Sequence, residues 1–367
     1  MPGWTGSRSN APWRQATLGA VPSPVLTRSL APHTTLRVGG PAGGLLVART
    51  AAEIVESVRA ADAAGEPLLL LGGGSNVVIA DEGVPGGALL VRSTGHTVEP
   101  LPDGAVLVTV EAGEDWDALV AATVGMGLGG LECLSGIPGS TGATPVQNVG
   151  AYGVEIADVL VDVDLYDRRA GELRPHVPAA ELGLGYRASV LKHRDDAVVL
   201  RVRFRLRPDG TSVPIRYPEL ARALGVPPGA TVAAGAARMA VLDLRRGKGM
   251  VLDPADHDTW SVGSFFTNPV LPVADVPDEP DLPRWPAGQE RVKLPAAWLI
   301  EHSGFRRGRP GPGGRVGLST RHVLALSNRG GGTARDILAL AREVRDGVRT
   351  RFGVELVPEP VLVGCSL

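Results

Sequence analysis

A glycine-rich segment in the middle of the chain constrains its fold more than any other feature. Residues 136–153 read GIPGSTGATPVQNVGAYG, and the apolar side chains of Ile137, Val146 and Val149 lie among the glycines. A flexible linker would be polar, whereas glycine lets a backbone adopt positive φ angles and approach a ligand closely. The segment therefore predicts a buried loop against a large flat ligand, with a tight structural loop as the alternative.

A second glycine cluster lies upstream, at residues 67–80, PLLLLGGGSNVVIA. Its apolar run predicts a buried strand that leads directly into the glycines. Successive backbone N–H groups in such a turn form an anion-binding nest. The pattern lacks GxGxxG with a following helix, which disfavours a Rossmann site, and it lacks the GK[ST] of a P-loop. A hairpin turn is the simpler alternative here, but two such clusters in one chain favour a cofactor that carries a diphosphate.

Composition excludes several classes of function. The chain has 367 residues, a hydrophobic content of 44% and a net charge of −2, which suits two or three modules. This charge gives no bias towards nucleic acid or an anionic membrane. Two cysteines, Cys133 and Cys365, are too few for a disulfide framework and fit a reducing cytoplasm. Seven scattered histidines without HExxH or CxxC predict no metal site, and no apolar run is long enough for a membrane span.

The first half of the chain mixes helix and strand patterns. Thr50 caps a predicted helix that continues to about Ala63, and the strand before the upstream glycine cluster follows it, which gives a β-α-β start. Residues 105–113 alternate like a strand, and residues 114–126 form a predicted helix. Residues 197–206 alternate apolar side chains with arginines, as a half-buried strand does. These patterns predict two small mixed units before residue 208.

The remainder of the chain is predicted to be a separate module. Its clearest element is a helix over residues 333–353, since Thr333 and Asp336 match a capping box at its start. A closing strand is predicted over residues 354–364, at a sheet edge because of its prolines. The module thus combines helix and strand, like the units before it.

Four further motifs complete a pattern. They are GYRASVLKH at 185–193, IRYPEL at 215–220, SVGSFFTNP at 261–269 and VPEPVLVG at 357–364. With the two glycine clusters, they closely resemble the bacterial UDP-N-acetylenolpyruvoylglucosamine reductases, which are flavin enzymes of peptidoglycan precursor synthesis. The resemblance extends from about Thr34 to Gly364, nearly the whole chain.

The resemblance implies an α+β fold. A two-subdomain FAD-binding module of the PCMH or vanillyl-alcohol-oxidase type is followed in this family by a C-terminal α+β substrate-binding domain. We therefore expect a flexible N-terminal extension over residues 1–27 and FAD-binding subdomains over residues 28–93 and 94–207. The substrate-binding domain is expected over residues 208–367.

The family's functional residues can be placed on this sequence by motif. The resemblance implies a catalytic centre of Arg187, Ser264 and Glu359, from the GYRxSxxK, GSFF and C-terminal PE motifs. It implies that FAD binds without a covalent link at Gly72, Gly73, Gly74, Ser75, Asn76, Ile137, Pro138, Gly139, Ser140, Gly142, Ala143, Gln147, Asn148, Gly150, Ala151 and Gly153. It implies substrate contacts at Tyr152, Tyr186, Tyr217, Lys248 and Asn268. Tyr217 resembles the substrate-covering tyrosine of the family's type I members.

The implied reaction has two halves. NADPH first passes hydride to FAD, and after NADP⁺ leaves, the enolpyruvyl ether of UDP-N-acetylglucosamine is reduced to the lactyl ether of UDP-N-acetylmuramate. Arg187 would pair with the substrate carboxylate, and Glu359 would stabilise the charge that builds beside it. Ser264 would donate a proton to the α-carbon. The resemblance also suggests a monomer.

Two other interpretations stay open at the level of sequence. One is a flavoprotein oxidase with the same type of flavin-binding fold, acting on alcohols or lactones. Such enzymes often bind flavin covalently through histidine or cysteine, and the glycine-rich segment at residues 136–153 contains neither. The other is an inactive regulator that binds flavin or a nucleotide sugar. Such a protein would have no reason to retain Arg187, Ser264 and Glu359 together.

Overall fold

The computed structural model describes residues 29–367, so the predicted extension over residues 1–27 lies outside the described residues. The elements of the first unit are β1 (Ala42–Ala48), α1 (Ala51–Ala64), β2 (Leu68–Leu71), β3 (Val77–Ile79) and β4 (Val84–Val91). Strands β1, β4 and β2 form a parallel sheet in that order. The predicted β-α-β start is confirmed, and β3 pairs outside this sheet.

Helix α1 is fixed by its ends and by one apolar face. The Thr50 side chain accepts a hydrogen bond from the backbone N–H of Glu53 at 3.1 Å, as an N-cap residue does. The helix ends at Gly65, whose φ of +67° suits glycine. Ile54 and Val58 are fully buried, in a core shared with β4. The capping residue is the one that the sequence predicts.

The second unit is an antiparallel sheet with a helix. Its elements are β5 (His96–Pro100), β6 (Val106–Glu111), α2 (Trp116–Gly125), β7 (Gly150–Ala151), β8 (Val154–Glu155), β9 (Leu160–Asp167), β10 (Glu172–Pro178) and β11 (Ala197–Leu206). Five of the strands pair in the order β10-β9-β11-β6-β5. Strand β11 covers the predicted residues, and Val202 and Phe204 are fully buried. Between them, Arg203 pairs with Asp162 and Asp164.

Two helices that follow the second unit pack into its core. They are α3 (Pro218–Leu224) and α4 (Ala234–Gly247). Leu220, Ala237 and Val241 are buried in the same core as Trp116 and Phe204. The sequence predicts a domain boundary after residue 207, and these two helices, which follow it in the chain, lie in the second core. An apolar helix face alone does not reveal which core it will join.

The third unit has its own core around one long helix. Its elements are β12 (Val270–Pro272), β13 (Trp285–Pro286), β14 (Arg291–Lys293), α5 (Ala296–His302), β15 (Val316–Leu318), β16 (Leu326–Asn328), α6 (Ala334–Phe352) and β17 (Val361–Val363). Helix α6 begins with the predicted capping box of Thr333 and Asp336 and ends at Gly353, which has a φ of +70°. Its buried face packs with Phe265 and Phe266. No helix among residues 29–367 is both long and apolar enough to cross a membrane.

The end of the chain returns to the first unit. Strand β17 pairs in parallel with β3, so β2 and β3 belong to different sheets and the hairpin alternative for the upstream glycine cluster is wrong. The predicted strand over residues 354–364 is reduced to three residues. Pro358 and Pro360 lack N–H groups and cannot donate to a strand partner. The pairing of β17 with β3 therefore places the third unit next to the upstream glycine cluster.

Candidate active site

A cavity of about 930 Å³ opens where the three units meet. Cavities that bind small molecules commonly measure about 300–1,000 Å³, so this one suits a large ligand. Its lining includes 22 of the 24 residues that the sequence assigns to a site: Arg187, Ser264 and Glu359; Gly72, Gly73, Gly74, Ser75, Asn76, Ile137, Pro138, Gly139, Ser140, Ala143, Gln147, Gly150, Ala151 and Gly153; Tyr152, Tyr186, Tyr217, Lys248 and Asn268. Motifs from all three units therefore converge on one site.

The two glycine clusters pack directly against each other. A Cβ atom on Gly73 would lie 2.5 Å from the Cα of Gly139, well inside ordinary carbon–carbon contact distance. Gly74 has a φ of +63° and Gly139 a φ of +137°, which glycine adopts without strain. The Asn76 amide also donates to the Gln147 side chain. The clusters thus form one wall from which side chains are largely absent.

Two residues assigned to the cofactor, Gly142 and Asn148, do not belong to the lining described for this cavity. A Cβ atom on Gly142 would lie 2.5 Å from the Cβ of Ala112, so this glycine is needed for packing. The Asn148 side chain is buried, and its Nδ2 donates to Glu155 at 2.7 Å and to the Gly185 carbonyl at 3.0 Å. Both residues fix the conformation of the loop that borders the cavity.

Arg187 is held rigidly at one side of the cavity. Its Nε lies 3.2 Å from Oε1 of Glu359, and its Nη2 donates to the Gly150 carbonyl at 2.6 Å. The backbone at Arg187 has a φ of +54°, a conformation that non-glycine residues keep only where their surroundings enforce it. The guanidinium therefore has a fixed position beside the glycine wall, with its charge available for an anionic group.

Ser264 and Glu359 are carried by neighbouring extended segments. The backbone N–H of Glu359 donates to the Phe265 carbonyl at 2.8 Å, and the N–H of Phe265 donates to the Leu324 carbonyl at 2.8 Å. The Phe265 and Phe266 side chains are almost fully buried and anchor the serine-bearing segment in the third core. Packing and backbone hydrogen bonds thus position the serine and the glutamate together.

Glu359 is suited to hold a proton. Its side chain is 15% exposed, and burial raises the pKa of its carboxyl group above the ordinary value, while Arg187 and Lys192 act in the opposite direction. A carboxyl whose pKa is raised can remain protonated at a pH where others are ionised. The pair of Glu359 and Arg187 therefore offers a proton and a fixed positive charge side by side.

Three of the residues assigned to the substrate lie together in the lining of the cavity, and we call them the mouth residues: Tyr152, Tyr217 and Lys248. The Tyr152 and Tyr217 rings meet edge to face with centroids 5.4 Å apart. The Lys248 ammonium lies 5.9 Å from the centre of the Tyr152 ring and pairs with Glu219. Burial raises the pKa of Tyr152 to about 12, so its hydroxyl remains a hydrogen-bond donor at neutral pH. Tyr217 is 41% exposed, which leaves it free to contact an incoming ligand.

The other two residues assigned to the substrate, Asn268 and Tyr186, already make contacts within the protein. The Asn268 side-chain oxygen already accepts a hydrogen bond from the backbone N–H of Ala296 at 2.9 Å, at the start of α5. Tyr186 lies under two cations, with its ring centre 5.3 Å from the Arg187 guanidinium and 4.9 Å from the Lys293 ammonium. Asn268 therefore helps to begin a helix, and its amide nitrogen is the group left for a ligand.

Sequence reasoning missed four basic residues that also line the cavity. They are Lys192, Arg245, Lys293 and His322. The Arg245 Nε is buried without a hydrogen-bond partner in the described part of the chain, and burial lowers the pKa of its guanidinium. A sequence signal existed for the lysines. Only three of the 37 basic residues are lysines, and all three line this cavity.

A second cleft of about 810 Å³ adjoins the first and shares Lys248 and His322 with it. Arg307 and Arg321 also line this cleft. Burial, assisted by the charges of Lys248 and Arg307, lowers the pKa of His322 to about 4. Glu219, Asp243 and Glu301 line the cleft as well, so its cations alternate with carboxylates, and a neutral His322 adds no charge.

The site combines a binding wall for a flat cofactor with groups that polarise and protonate a second molecule. Cβ atoms on Gly73 and Gly139 would lie within 2.8 Å of atoms of the facing cluster, so these glycines let the two clusters pack together. The resulting wall lines the cavity largely with backbone, which suits a flat cofactor such as FAD. The buried Arg245 Nε has no protein partner among the described residues and suits an acceptor on that ligand. Arg187, Glu359 and Ser264 face the same space, where a substrate would lie against the cofactor.

Two family models match the chain. Residues 42–174 match the FAD binding domain, and residues 253–363 match the UDP-N-acetylenolpyruvoylglucosamine reductase, C-terminal domain. The first match covers the glycine clusters, and the second covers the segments that carry Ser264 and Glu359.

Relatives and a solved structure agree with these matches. The chain is 60% identical to the UDP-N-acetylenolpyruvoylglucosamine reductase of Saccharopolyspora erythraea, over 94% of this chain and 97% of that protein. It is 58% identical to the enzyme of that name from Nocardia farcinica, over 92% of this chain and 89% of that protein. The crystal structure of UDP-N-acetylenolpyruvylglucosamine reductase from Thermus caldophilus superposes with a TM-score of 0.63 at 26% identity, over 93% of this chain and 98% of that one. The α+β fold class and the expectation of an FAD-dependent reductase are confirmed. The chain belongs to the UDP-N-acetylenolpyruvoylglucosamine reductase family.

Proposed function

We propose that this protein uses NADPH to reduce UDP-N-acetylglucosamine enolpyruvate to UDP-N-acetylmuramate, with FAD bound non-covalently in the cavity. The observation that carries the proposal is the pair of Arg187 and Glu359, 3.2 Å apart, beside the glycine wall and the segment of Ser264. FAD, when bound, accepts hydride from NADPH and returns it to the substrate.

The glycine wall is proposed to hold the cofactor. Backbone N–H groups of the upstream cluster would donate hydrogen bonds to its diphosphate, and the loop over residues 137–153 would lie along its flat ring. The lining described for the cavity includes no cysteine and a single histidine, His322. This composition supports a cofactor without a covalent tether.

Arg187 is proposed to bind the carboxylate of the enolpyruvyl group. Negative charge grows on that carboxylate and on the adjacent carbon once hydride reaches the vinyl CH₂ carbon. A cation that is already in position stabilises this charge without reorganisation during the reaction. The hydrogen bond from Arg187 to the Gly150 carbonyl supplies that rigidity.

Glu359 is proposed to act in its protonated form, sharing a proton with the developing enolate. Burial raises the pKa of its carboxyl group, which favours this form. Ser264 is proposed to deliver the final proton to the α-carbon. A serine hydroxyl is a weak acid, but an enolate carbon is a strong base, so the transfer needs chiefly good geometry. Hydride and proton together saturate the double bond and give the lactyl ether.

The mouth residues and the second cleft are proposed to bind the nucleotide part of the substrate. Tyr152, Tyr217 and Lys248 line the cavity close to that cleft, and a diphosphate seeks cations such as Lys248. Tyr217 would cover the bound substrate as its type I counterpart does. We further propose that the protein works as a monomer in the cytoplasm.

An anaerobic absorbance experiment tests the proposal. Purified protein that carries oxidised flavin is first bleached with NADPH, and UDP-N-acetylglucosamine enolpyruvate is then added. Recovery of the flavin band that depends on this substrate would support both half-reactions. Bleaching without recovery would show that the protein is a flavoprotein but that this molecule is not its substrate. Failure to bind FAD under loading conditions would contradict the proposal as a whole.

A further inference from the structure

Lysine is rare in this chain and is concentrated at one place. Lys192, Lys248 and Lys293 are its only lysines, and each of them lines the cavity. Every other basic position is arginine, including the many positions on the surface. Lysine has a compact ammonium group and arginine a planar, wider guanidinium, so the two are not interchangeable where space is tight. Three compact cations therefore lie at one cavity, beside Arg187 and Arg245.

We propose that Lys192 is a positioning residue for the reduction of the substrate, because its ammonium joins the backbones of Arg187 and Glu359. This inference rests on the proposed function. Lys192 Nζ donates to the Arg187 carbonyl at 3.1 Å and to the Glu359 carbonyl at 3.4 Å. These two residues come from different units of the fold, and one side chain bridges their backbones.

The same ammonium stabilises an unusual backbone. Arg187 has a φ of +54°, and such conformations persist only where neighbouring groups hold them. The hydrogen bond from Lys192 to the Arg187 carbonyl is one such constraint, and the backbone pairing of Gly185 with Ala188 is another. Without the ammonium, the guanidinium would lose part of its fixed geometry.

At Glu359 the ammonium acts with two other backbone contacts. The Glu359 N–H donates to the Phe265 carbonyl, and the Asn76 amide donates to the Glu359 carbonyl at 3.4 Å. Lys192 supplies the second donor to that carbonyl. The glutamate backbone is therefore held from the third unit on one side and from the FAD-binding units on the other.

Lys192 also contributes charge. The groups that face the Glu359 carboxyl are Arg187, Lys192 and Tyr186, and the Lys293 ammonium lies over the Tyr186 ring. Positive charge at Lys192 lowers the pKa of Glu359, although burial raises it overall. Removal of this charge raises the pKa further, so the protonated form persists to higher pH.

The test measures both half-reactions by anaerobic stopped flow in the parent holoenzyme and in Lys192→Met, Lys192→Arg and Arg342→Met. Arg342 is a matched control because it also donates to a backbone carbonyl, that of Ser366, and does not line the described cavity. We expect Lys192→Met to retain FAD and to be reduced by NADPH within about threefold of the parent rate. Its reoxidation by UDP-N-acetylglucosamine enolpyruvate should slow by about 100-fold, the order of loss expected from misplaced groups.

The pH profile of reoxidation separates positioning from a merely structural role. In Lys192→Met the high-pH limb of the profile should move to higher pH. In Lys192→Arg, which keeps the charge, the limb should stay in place while the rate recovers only in part, since a guanidinium does not reproduce the two carbonyl contacts. Arg342→Met should match the parent in both half-reactions.

Three results would overturn the proposal. The first is reoxidation of Lys192→Met within about threefold of the parent, which is less than misplacement should cost. The second is an equal loss of both half-reactions with an unmoved pH limb. The third is loss of FAD from both Lys192 variants, which would show that the lysine is needed to bind the cofactor. The parent tests the proposed function separately, because a parent that is bleached by NADPH and not reoxidised by this substrate refutes that function alone.

Discussion

The contact between the two glycine clusters makes Gly73→Ala a sharp test of the cofactor wall. The added Cβ atom would lie 2.5 Å from the Cα of Gly139, 2.8 Å from its carbonyl carbon and 3.2 Å from the Ser140 nitrogen. Carbon atoms in contact normally stay about 3.5–4.0 Å apart, so the loops must separate by about 1 Å. Gly73 does not adopt a positive φ, and alanine therefore strains only the packing.

The size of the effect follows from the cost of an extra methyl group in a packed site. Overpacking costs about 1–3 kcal/mol, which corresponds to a loss of FAD affinity of about 5- to 150-fold. The assay is a dissociation constant for FAD, with melting temperatures measured with and without added FAD. The parent should gain stability from FAD, and Gly73→Ala should gain less at the same concentration.

Gly235→Ala is the matched control. Gly235 lies in α4, and a Cβ atom there would meet nothing within 4 Å. This variant should keep the FAD affinity of the parent and become slightly more stable, by about 0.5–1 kcal/mol. Unchanged FAD affinity in Gly73→Ala would refute the reasoning, because it would show that close contact of the two clusters is not needed to hold the cofactor.

The remaining predictions concern proton transfer, pH and stability. Ser264→Ala should keep flavin reduction by NADPH and slow substrate-dependent reoxidation by about 10²–10⁴-fold; near-parent turnover would remove the serine as the acid. Glu359→Gln should slow the same step by about 10²–10³-fold and abolish the high-pH limb of its profile, because the raised pKa of Glu359 is what sets that limb. Since the pKa of His322 falls from 6.5 to about 4 on folding, the unfolded chain binds a proton there that the folded chain does not. Stability should therefore drop as pH falls from 7 to 5, by about 1–2 kcal/mol after allowance for partial exposure. Urea unfolding of His322→Gln should show a shallower pH dependence than the parent, and an equal dependence would contradict the assignment. Thr333→Ala should lower the free energy of unfolding by about 1 kcal/mol, with Thr333→Ser as the control that preserves the cap.

Local features of this fold could be predicted from sequence because short-range chemistry determines them. A capping side chain needs only the next few residues, as Thr50 shows at α1 and Thr333 at α6. Strand β11 alternates apolar residues with arginine, and the structure forms it over the predicted residues. The FAD-binding fold and the convergence of Arg187, Ser264 and Glu359 came from motifs and not from periodicity.

Long-range features could not be predicted in this way. Nothing near Val77 in the sequence indicates that β3 will pair with residues 361–363, so a hairpin looked possible. The apolar faces of α3 and α4 gave no sign that they would join the second core. Arg245 lies beside Arg246 in a helix, a pattern typical of a solvated surface, yet its Nε is buried at the cavity.

The position of Glu359 shows how closely fold and function are joined. Pro358 and Pro360 have no N–H groups, so the Glu359 N–H is the donor between them, and it binds the Phe265 carbonyl. Two residues later, the Val361 N–H donates to the Asn76 carbonyl at 2.9 Å. A few residues thus tie the segment of Ser264 to the upstream glycine cluster, and Glu359 lies where the chain crosses between them. Strand β17 begins only after this crossing, and at the crossing the Glu359 carboxyl lies 3.2 Å from the Arg187 guanidinium. An insertion of one residue between Glu359 and Val361 should therefore separate the carboxyl from the guanidinium while it leaves both cores intact.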